Sequence, residues 1–353
     1  MKAIRKAIVA LLTVVAMTVQ AAPKVIVVQA NQAESLLEAI NEANKQNADK
    51  NAERLYILIP DGTYDLGERT LTTLRGHNVS LIGQSMERTI IVNKPDIKNE
   101  GISKTATIQN RGTGNYLQDL TLKNALDYYH SGAAGRAVCL QDKGNRTVCK
   151  RVRMLSYQDT YYSDNEDSQF YFEDCEIHGT VDFICGASDV YFNRCLLVTE
   201  KRTADGSGRN VIAAPRTSHT AWGYVFESCT VRNDVSDFQY ARGWNGTPHC
   251  IWLNTTLETP EKLKSPRFDP NGMRTAKSDF REYHTMDAQG NDITPQSNVV
   301  TFTLKDEKNT IETILTKEEA RKYNVKKIFT DWHPVKTVRQ QVKMSEKLKR
   351  QLP

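Results

Sequence analysis

The sequence YQDTYYSDNEDSQFYFEDCEIHGTVDFICGASD, residues 157–189, combines the two features that indicate the fold and the chemistry of this chain. Its middle section places Phe172, Cys175 and Ile177 in a run of β-favouring residues bounded by acidic and Gly-containing turns. Two aspartates, Asp159 and Asp182, lie on either side of that section, and neither is flanked by another charge. The stretch therefore predicts short strands with carboxylates at their ends.

The spacing of Phe172, Cys175 and Ile177 recurs along the chain. In each copy an apolar residue is followed three positions later by a Cys or aliphatic residue, and two positions after that by an aliphatic residue. The copies are Leu117/Leu120/Leu122, Cys149/Val152/Met154, Phe172/Cys175/Ile177, Phe192/Cys195/Leu197, Phe226/Cys229/Val231 and, more loosely, Trp252/Thr255/Leu257. Their middle positions are 20 to 34 residues apart, which is the size of one solenoid coil. The repeat predicts a parallel β-helix whose equivalent positions stack from coil to coil.

The repeat also accounts for most of the seven cysteines. Four of them fall on or near the predicted interior positions, where a free Cys acts as a small hydrophobic residue. They are Cys149, Cys175, Cys195 and Cys229. No CxxC pair occurs, so the usual zinc signature is lacking and we expect no metal and no cofactor. Because Cys175 and Cys195 occupy equivalent positions in successive coils, a disulfide between them is compatible with an oxidising compartment.

Helical patterns are confined to the two ends of the chain. Residues 35–47 have apolar residues on one face, and Ser35 with Glu38 has the spacing of a capping box. Thr316 with Glu319 has the same spacing, and apolar residues recur from Val335 to the end of the chain. The sequence thus predicts an all-β solenoid with a short N-terminal helix and a helical tail, about 316–353, packed on it.

Residues 1–21 have the pattern of a secretory signal peptide. Lys2, Arg5 and Lys6 precede an apolar run, and a small-residue cleavage pattern ends at Ala21. We therefore predict a single mature domain, 22–353, that is secreted or periplasmic. Removing the signal lowers the formal charge from +5 to +2, too mild a charge to indicate nucleic-acid binding. No later stretch approaches the ~20 apolar residues that span a bilayer, so membrane insertion is not predicted.

Six short blocks carry a resemblance to a known family. In chain order they are GRAVCL (135–140), YQDTYY (157–162), GTVDFICG (179–186), ARGW (241–244), FREY (280–283) and TDWHP (330–334). Together they resemble the pectin methylesterases, or pectinesterases, carbohydrate esterases built on a right-handed parallel β-helix. The resemblance implies an exported enzyme that removes methyl esters from galacturonic-acid residues of pectin and releases methanol. A pectic polysaccharide is then the expected partner, and a monomer the expected state.

The resemblance also implies catalytic roles. Asp182 is expected to attack the ester carbonyl as nucleophile, and Asp159 to protonate the departing methanol and then activate water. Asp159 must therefore be protonated at the start, with a pKa above that of Asp182. Gln158 is expected to help hold the oxyanion, and Arg242 to keep Asp182 ionised and oriented.

The remaining expected site residues concern substrate binding. Trp244 offers a flat face to a sugar ring, with Tyr162 and Arg242 as further contacts. Where the family has Gln, this chain has Arg136, which can donate hydrogen bonds to an oxyanion or bind a carboxylate beside the ester. This exchange leaves homogalacturonan and a more branched pectin both open as substrate.

Several alternatives remain at the level of sequence. Asp159 and Asp182 could be turn residues at strand ends. A β-helix hydrolase or lyase could instead act on the pectin backbone, but it would require clustered acids or acidic calcium ligands, and no convincing DD or DxD cluster lies on the repeat. The third alternative is a non-catalytic or thioesterase-like relative that has kept the scaffold.

Overall fold

The computed structural model describes residues 22–99, 101–131, 135–233, 236–269, 274–275, 278–304 and 306–352. The predicted signal peptide, 1–21, lies outside the described residues. The α-helices are α1 Ala33–Gln46, α2 Lys317–Ala320, α3 Val325–Ile328 and α4 Pro334–Leu348. The strands, numbered β1 to β29 in chain order, are Lys24–Val27, Leu55–Ile59, Gly62–Asp65, Thr72–Leu74, Val79–Gly83, Thr89–Asn93, Ile108–Asn110, Tyr116–Asn124, Leu140–Asp142, Thr147–Leu155, Tyr161–Ser163, Gln169–Glu173, Glu176–Gly179, Val181–Gly186, Asp189–Asn193, Leu196–Thr199, Arg209–Pro215, Tyr224–Glu227, Thr230–Asn233, Asp237–Arg242, Asn245–Gly246, His249–Leu253, Thr256–Leu257, Phe268–Asp269, Arg274–Thr275, Asp279–Tyr283, Met286–Asp287, Val299–Leu304 and Glu307–Glu312.

The strands form a parallel β-helix, as predicted. One sheet of 17 strands and one of 8 strands contain nearly all of them, and the 8-stranded sheet has the order β4-β7-β9-β11-β14-β17-β20-β24. Neighbours in this sheet come from successive coils and pair in parallel. Chain order and sheet order therefore coincide, which is the defining property of a solenoid.

The predicted interior repeat is confirmed residue by residue. Phe172 pairs with Phe192, Phe192 with Phe226, and Phe226 with Trp252 in successive strands. Their rings are stacked, with centroids 4.9, 4.6 and 4.0 Å apart along the series. All four side chains are buried. This aromatic column forms the centre of the core, because a ring fills the same place in four successive coils.

The chain turns a corner within each copy of the repeat, and the pattern of apolar residues does not predict that corner. The residue just before the middle position has left-handed backbone geometry, with φ between 51° and 55° in all six copies. These corner residues are Asp119, Arg151, Asp174, Arg194, Ser228 and Asn254. Such geometry disfavours non-glycine residues, and cross-coil bonds at the corners oppose that cost. Arg151 bonds Asp119 at 2.5 Å and Arg194 bonds Asp174 at 2.9 Å.

The disulfide between Cys175 and Cys195 that we considered is not formed. All seven cysteines are free thiols, and all are buried. The Cys175 Sγ donates to the carbonyl of Cys149 at 3.4 Å, and the Cys195 Sγ donates to the carbonyl of Asn193 at 3.7 Å. Each sulfur is thus directed toward a backbone oxygen, and the cysteines act as small interior hydrophobic residues.

The two capping boxes predicted for the terminal helices have different outcomes. Helix α1 starts at Ala33, and the predicted Ser35/Glu38 capping box is wrong, since Ser35 Oγ accepts a hydrogen bond from the Gln29 amide upstream. The predicted box at Thr316 and Glu319 is confirmed at the start of α2.

Helix α4 packs on the outer face of the 17-stranded sheet. Its buried Val338 and Leu348 belong to one apolar cluster with Tyr116 and Tyr171 of that sheet. Gln118 of the sheet donates to Ser345 of the helix at 2.7 Å. The predicted packing of the C-terminal helices on the solenoid is therefore confirmed. Among the described residues, no helix is both long and apolar enough to cross a bilayer.

Loss of one ring from the aromatic column should destabilise the whole solenoid. We expect Phe192→Ala to lower the free energy of unfolding by about 3–5 kcal/mol, because the cavity would lie between two rings that cannot close the gap. Denaturant unfolding followed by circular dichroism measures this change. Val299→Ala, at a residue that is 61% exposed, is the control and should change it by less than about 0.5 kcal/mol. Equal losses for the two variants would contradict the central role of the column.

Candidate active site

A pocket of about 230 Å³ opens on the outer face of the 8-stranded sheet. It is lined by Ile102, Arg136, Gln158, Asp159, Asp182, Cys185, Ala214, Arg242 and Trp244. Every residue to which the sequence assigned a catalytic role therefore lies in one pocket. They come from four coils, those that contain β9, β11, β14 and β20, which run side by side with β17 in this sheet.

The two aspartates occupy equivalent positions in adjacent coils. Tyr161 pairs with Ile184 and Tyr162 with Cys185 across β11 and β14. Continuing this register two residues toward the N-terminus places Asp159 opposite Asp182. Adjacent strands lie about 4.8 Å apart. Both residues have left-handed backbone geometry, with φ of 59° and 53°. A strained corner thus occurs at the same point of both coils, as is common where side chains must be presented at a functional site.

The backbone of β14 is irregular where it carries Asp182. Val181 pairs with Val211 and Ile184 with Ala213 of β17, so β14 has one extra residue between those pairs. Such a bulge re-aims a side chain at the edge of a ladder. The strand ends at Gly186, with φ of 117°, where an added Cβ would lie 2.1 Å from the Ser163 carbonyl oxygen. The close approach of β11 explains the final glycine of the GTVDFICG block.

Asp182 is buried and paired with a cation. The Arg242 Nε donates to Asp182 Oδ1 at 2.8 Å, and Arg242 Nη2 donates to the other carboxylate oxygen. Burial raises the pKa of Asp182, while the two bonds from Arg242 act in the opposite direction and favour the carboxylate. The bidentate contact also fixes the orientation of the carboxylate plane.

Asp159 has a different environment. Burial and the adjacent charge of Asp182 raise the pKa of Asp159 well above its usual range, and Arg136 and Arg242 oppose this only partly. The Cys185 thiol lies 3.7 Å from Asp159 Oδ1, in the orientation of a weak donor. Burial thus raises the pKa of both carboxyl groups, that of Asp159 the more strongly, and Asp182 has a bidentate cation partner.

Arg136 and Gln158 lie opposite each other in neighbouring coils. They form an isolated parallel bridge, and the Ala137 amide donates to the Gln158 carbonyl at 2.9 Å. Both side chains are partly exposed and line the pocket next to Asp159. The site therefore offers an amide and a guanidinium as hydrogen-bond donors on the side where β11 begins.

Trp244 lines the pocket, whereas Tyr162 is not among the lining residues. The Tyr162 side chain is 5% exposed, its hydroxyl donates to Asp164 at 2.8 Å, and its ring centroid lies 5.9 Å from that of Trp244. Arg216 lies over both rings, 5.2 Å from the Trp244 centroid, and donates to Asp164 at 3.2 Å. Tyr162 thus contacts the residue predicted to face the sugar, and it has no part in the pocket wall itself.

Sequence reasoning missed three residues of this region: Ile102, Ala214 and Arg216. Ala214 pairs with Cys185 across β14 and β17, which places it on the pocket floor. The register between β14 and β17 would have identified Ala214. The sequence does not give this register, because a loop of variable length separates the two strands. The small side chains of Ala214 and Cys185 leave room in the pocket beside the two carboxyl groups.

The comparisons with known proteins agree with this geometry. The Pectinesterase family model matches residues 25–330. The chain belongs to the pectinesterase family. A curated relative, probable pectinesterase 30 of Arabidopsis thaliana, is 32% identical over 256 residues, which are 69% of this chain and 49% of the relative. The chain thus spans about half the length of this relative, and less of several others that it matches.

Solved structures of pectin methylesterases have the same fold. Pectin methylesterase PemA from Erwinia chrysanthemi matches with a TM-score of 0.65 and 23% identity, over 84% of this chain and 93% of that one. A pectin methylesterase solved in complex with a hexasaccharide matches with a TM-score of 0.64, 23% identity and the same coverage. At this level of identity, the likeness supports the pectinesterase fold and leaves the roles of individual residues to the pocket geometry.

The raised pKa of Asp159 leads to a prediction about stability. Below about pH 4 an Asp is protonated in the folded and the unfolded chain alike. As the pH rises further, the unfolded chain releases this proton while the folded chain keeps it, so the free energy of unfolding falls until the native pKa is passed. Asp159→Asn removes this loss. We expect its melting temperature to match that of the parent below about pH 4 and to exceed it increasingly toward neutral pH.

Melting curves across this pH range test the prediction. Asp65→Asn is the control, because Asp65 is exposed on β3 and its carboxylate accepts a hydrogen bond from the Gly67 amide that an Asn can also accept. A stabilisation by Asp159→Asn that is constant with pH would show that ionisation of Asp159 is not the cause.

Proposed function

We propose that this protein is an exported esterase that hydrolyses the methyl esters of galacturonic-acid residues in pectin and releases methanol. One observation carries the proposal: Asp159 and Asp182 occupy equivalent positions of adjacent coils in one pocket, and the pKa of Asp159 is raised well above its usual range while Arg242 bonds both carboxylate oxygens of Asp182 and favours its ionised form. Membership of the pectinesterase family and the resemblance of residues 1–21 to a secretory signal support the reaction and the export, respectively.

The first half of the reaction uses Asp182 as nucleophile. Its carboxylate attacks the ester carbonyl carbon, and a tetrahedral oxyanion forms. Arg242 holds the attacking carboxylate in a fixed plane through its two hydrogen bonds. Gln158 and Arg136 lie on the same pocket wall and are the donors we assign to the oxyanion.

Collapse of the tetrahedral species needs a proton on the methoxy oxygen. Asp159 holds one, because its pKa is raised, and donates it as methanol leaves. The product of this half is an acyl group on Asp182 and an ionised Asp159. In the second half Asp159 takes a proton from water, which attacks the acyl carbonyl, and both carboxyl groups return to their starting states.

The surroundings of the pocket suit a uronic-acid chain. Trp244 presents a ring to a sugar face and is held by the stacked Arg216 guanidinium. Arg136 adds a cation at the pocket wall, where a free carboxylate of a neighbouring sugar could pair with it. Homogalacturonan is the substrate that we assign, and a branched pectin is the variant that Arg136 favours. The solved relative bound to a hexasaccharide supports an oligosaccharide ligand for the fold.

Replacement of the nucleophile tests the reaction. We expect Asp182→Asn to lower methanol release from methylated pectin by at least about 10³-fold, because an amide of the same shape cannot attack the ester. Enzymatic oxidation of the released methanol measures the rate, and gel filtration measures the length of the pectin. Asp65→Asn is the control and should keep the parent rate. Chain scission or an unsaturated product without methanol would instead support a backbone hydrolase or lyase, and inactivity of the parent on every pectin would support a non-catalytic relative.

Arg136 is expected to govern substrate preference more than turnover. We predict that Arg136→Gln keeps measurable methanol release and alters the ratio of kcat/KM between sparsely and fully methylated pectins, because the guanidinium can pair with free carboxylates and the amide cannot. Initial rates on pectins of graded methylation measure that ratio. Complete inactivity of Arg136→Gln on all esters would show that the charge is needed for the chemistry itself.

A further inference from the structure

A second cavity, much larger than the catalytic pocket, lies on the other sheet. It has a volume of about 580 Å³ and opens between the outer face of the 17-stranded sheet and the C-terminal helices. Strands β12 and β15 supply its floor, and the segment from α3 to α4 supplies its wall. This segment includes Trp332 and His333 of the TDWHP block, neither of which lines the catalytic pocket. The volume falls in the ordinary range for ligand sites.

Aromatic rings and cations dominate the lining of this cavity. Tyr171 and Tyr191 form the floor as a stacked pair, with centroids 6.0 Å apart and planes at 19°, and both side chains are buried. Trp332 stands on the wall, supported edge to face by Phe329 at 5.0 Å. Lys326, Lys336 and Arg339 also line the cavity, and all three are exposed. The lining contains no Asp or Glu among the described residues.

Carboxylates on or beside the floor strands have partners. Glu173 ends β12, two residues after Tyr171, and accepts hydrogen bonds from the Tyr171 hydroxyl at 2.6 Å and from Lys150 at 2.9 Å. Glu227 pairs with Asn193 in the adjacent strand and accepts a hydrogen bond from Asn254 at 2.8 Å. The cations of the wall therefore face the cavity without a carboxylate in the lining to neutralise them, which leaves a site of positive charge for an anionic ligand.

We propose that this cavity is a second carbohydrate site that binds a short stretch of de-esterified galacturonate chain. The identity of the sugar rests on the proposed function, whereas its chemical class follows from the cavity: a flat sugar face stacks on the partly exposed ring of Trp332, and carboxylates pair with Lys326, Lys336 and Arg339. A fully methylated chain carries no charge and lacks the second of these interactions. The site therefore selects the product of the reaction over the unreacted polymer.

Such a site links binding to catalysis through the polymer. The catalytic pocket lies on the 8-stranded sheet and this cavity on the 17-stranded sheet, so one long chain or two neighbouring chains can occupy both. A chain held at the second site raises the effective concentration of its remaining esters near the enzyme. We infer that the enzyme is retained on pectin that is already partly de-esterified.

Charge reversal at the cavity, with a matched control on the same helix, tests the proposal. The variant is Lys336→Glu with Arg339→Glu, and the control is Lys343→Glu with Lys347→Glu, which also lie exposed on α4 but do not line the cavity. Isothermal titration of the full chain with fully de-esterified hexagalacturonate measures stoichiometry and affinity. We expect a second binding event in the parent and the control, and a loss of at least roughly tenfold in its affinity in the variant. Fully methylated hexamer, titrated into the inactive Asp182→Asn variant so that it is not hydrolysed, should not produce that event.

The outcomes separate this proposal from the catalytic one. Titration heat does not depend on turnover, so failure of methanol release would overturn the proposed reaction and leave the second site standing. A parent that binds one hexamer only, or a variant that binds both as tightly as the control, would overturn the second site. Equal weakening in variant and control would also overturn it, because binding would then follow the net charge of the helix and not this cavity.

Discussion

The parallel register between successive coils is the constraint on which the rest of this structure depends. Backbone hydrogen bonds set each residue of one coil beside its equivalent in the next, about 4.8 Å away. In the interior this spacing stacks Phe172, Phe192 and Phe226 into one column. On the outer face the same spacing sets Asp159 opposite Asp182. The distance that suits stacked rings also keeps two carboxyl groups close enough to affect each other's ionisation.

The register alone would give the two carboxyl groups similar environments. The difference between their environments must therefore come from neighbouring residues of other coils. Arg242, on β20, is two strands away from Asp182 and bonds both of its carboxylate oxygens. Asp159 has the Cys185 thiol beside it and the charge of Asp182 opposite. A single guanidinium placed on one side of the pair therefore favours ionisation of Asp182 over that of Asp159. This asymmetry supports the division of nucleophile and acid that we propose.

The sequence could predict the interior of this fold better than its corners. Periodic apolar residues report which side chains face inward, so the repeat and its stacking followed from the triplets. The left-handed corner residues, such as Asp174 and Ser228, are charged or polar and carry no hydrophobic signal, yet they turn the chain in each copy of the repeat. The bulge in β14 and the contacts of Arg216 depend on pairings between distant segments, which loops of variable length conceal. The disulfide expectation failed because equivalent positions in the repeat do not fix the direction of a thiol.

The separation of core and surface explains how the pocket can carry Arg136, where the family has Gln, without a change in the core. Arg136, Cys185 and Ala214 all lie on the outer side of the 8-stranded sheet, while neighbouring residues such as Ile184 and Ala213 fill the interior. Alternate residues of a strand face opposite sides, so the outer residues can change in size and charge without disturbing the stacked column. Arg136 and the small pair Cys185 and Ala214 therefore alter the shape and charge of the pocket while the positions of Asp159 and Asp182 stay fixed by the coils. We conclude that the scaffold determines where the proposed chemistry occurs, and that a change of substrate preference can arise from the outer residues alone.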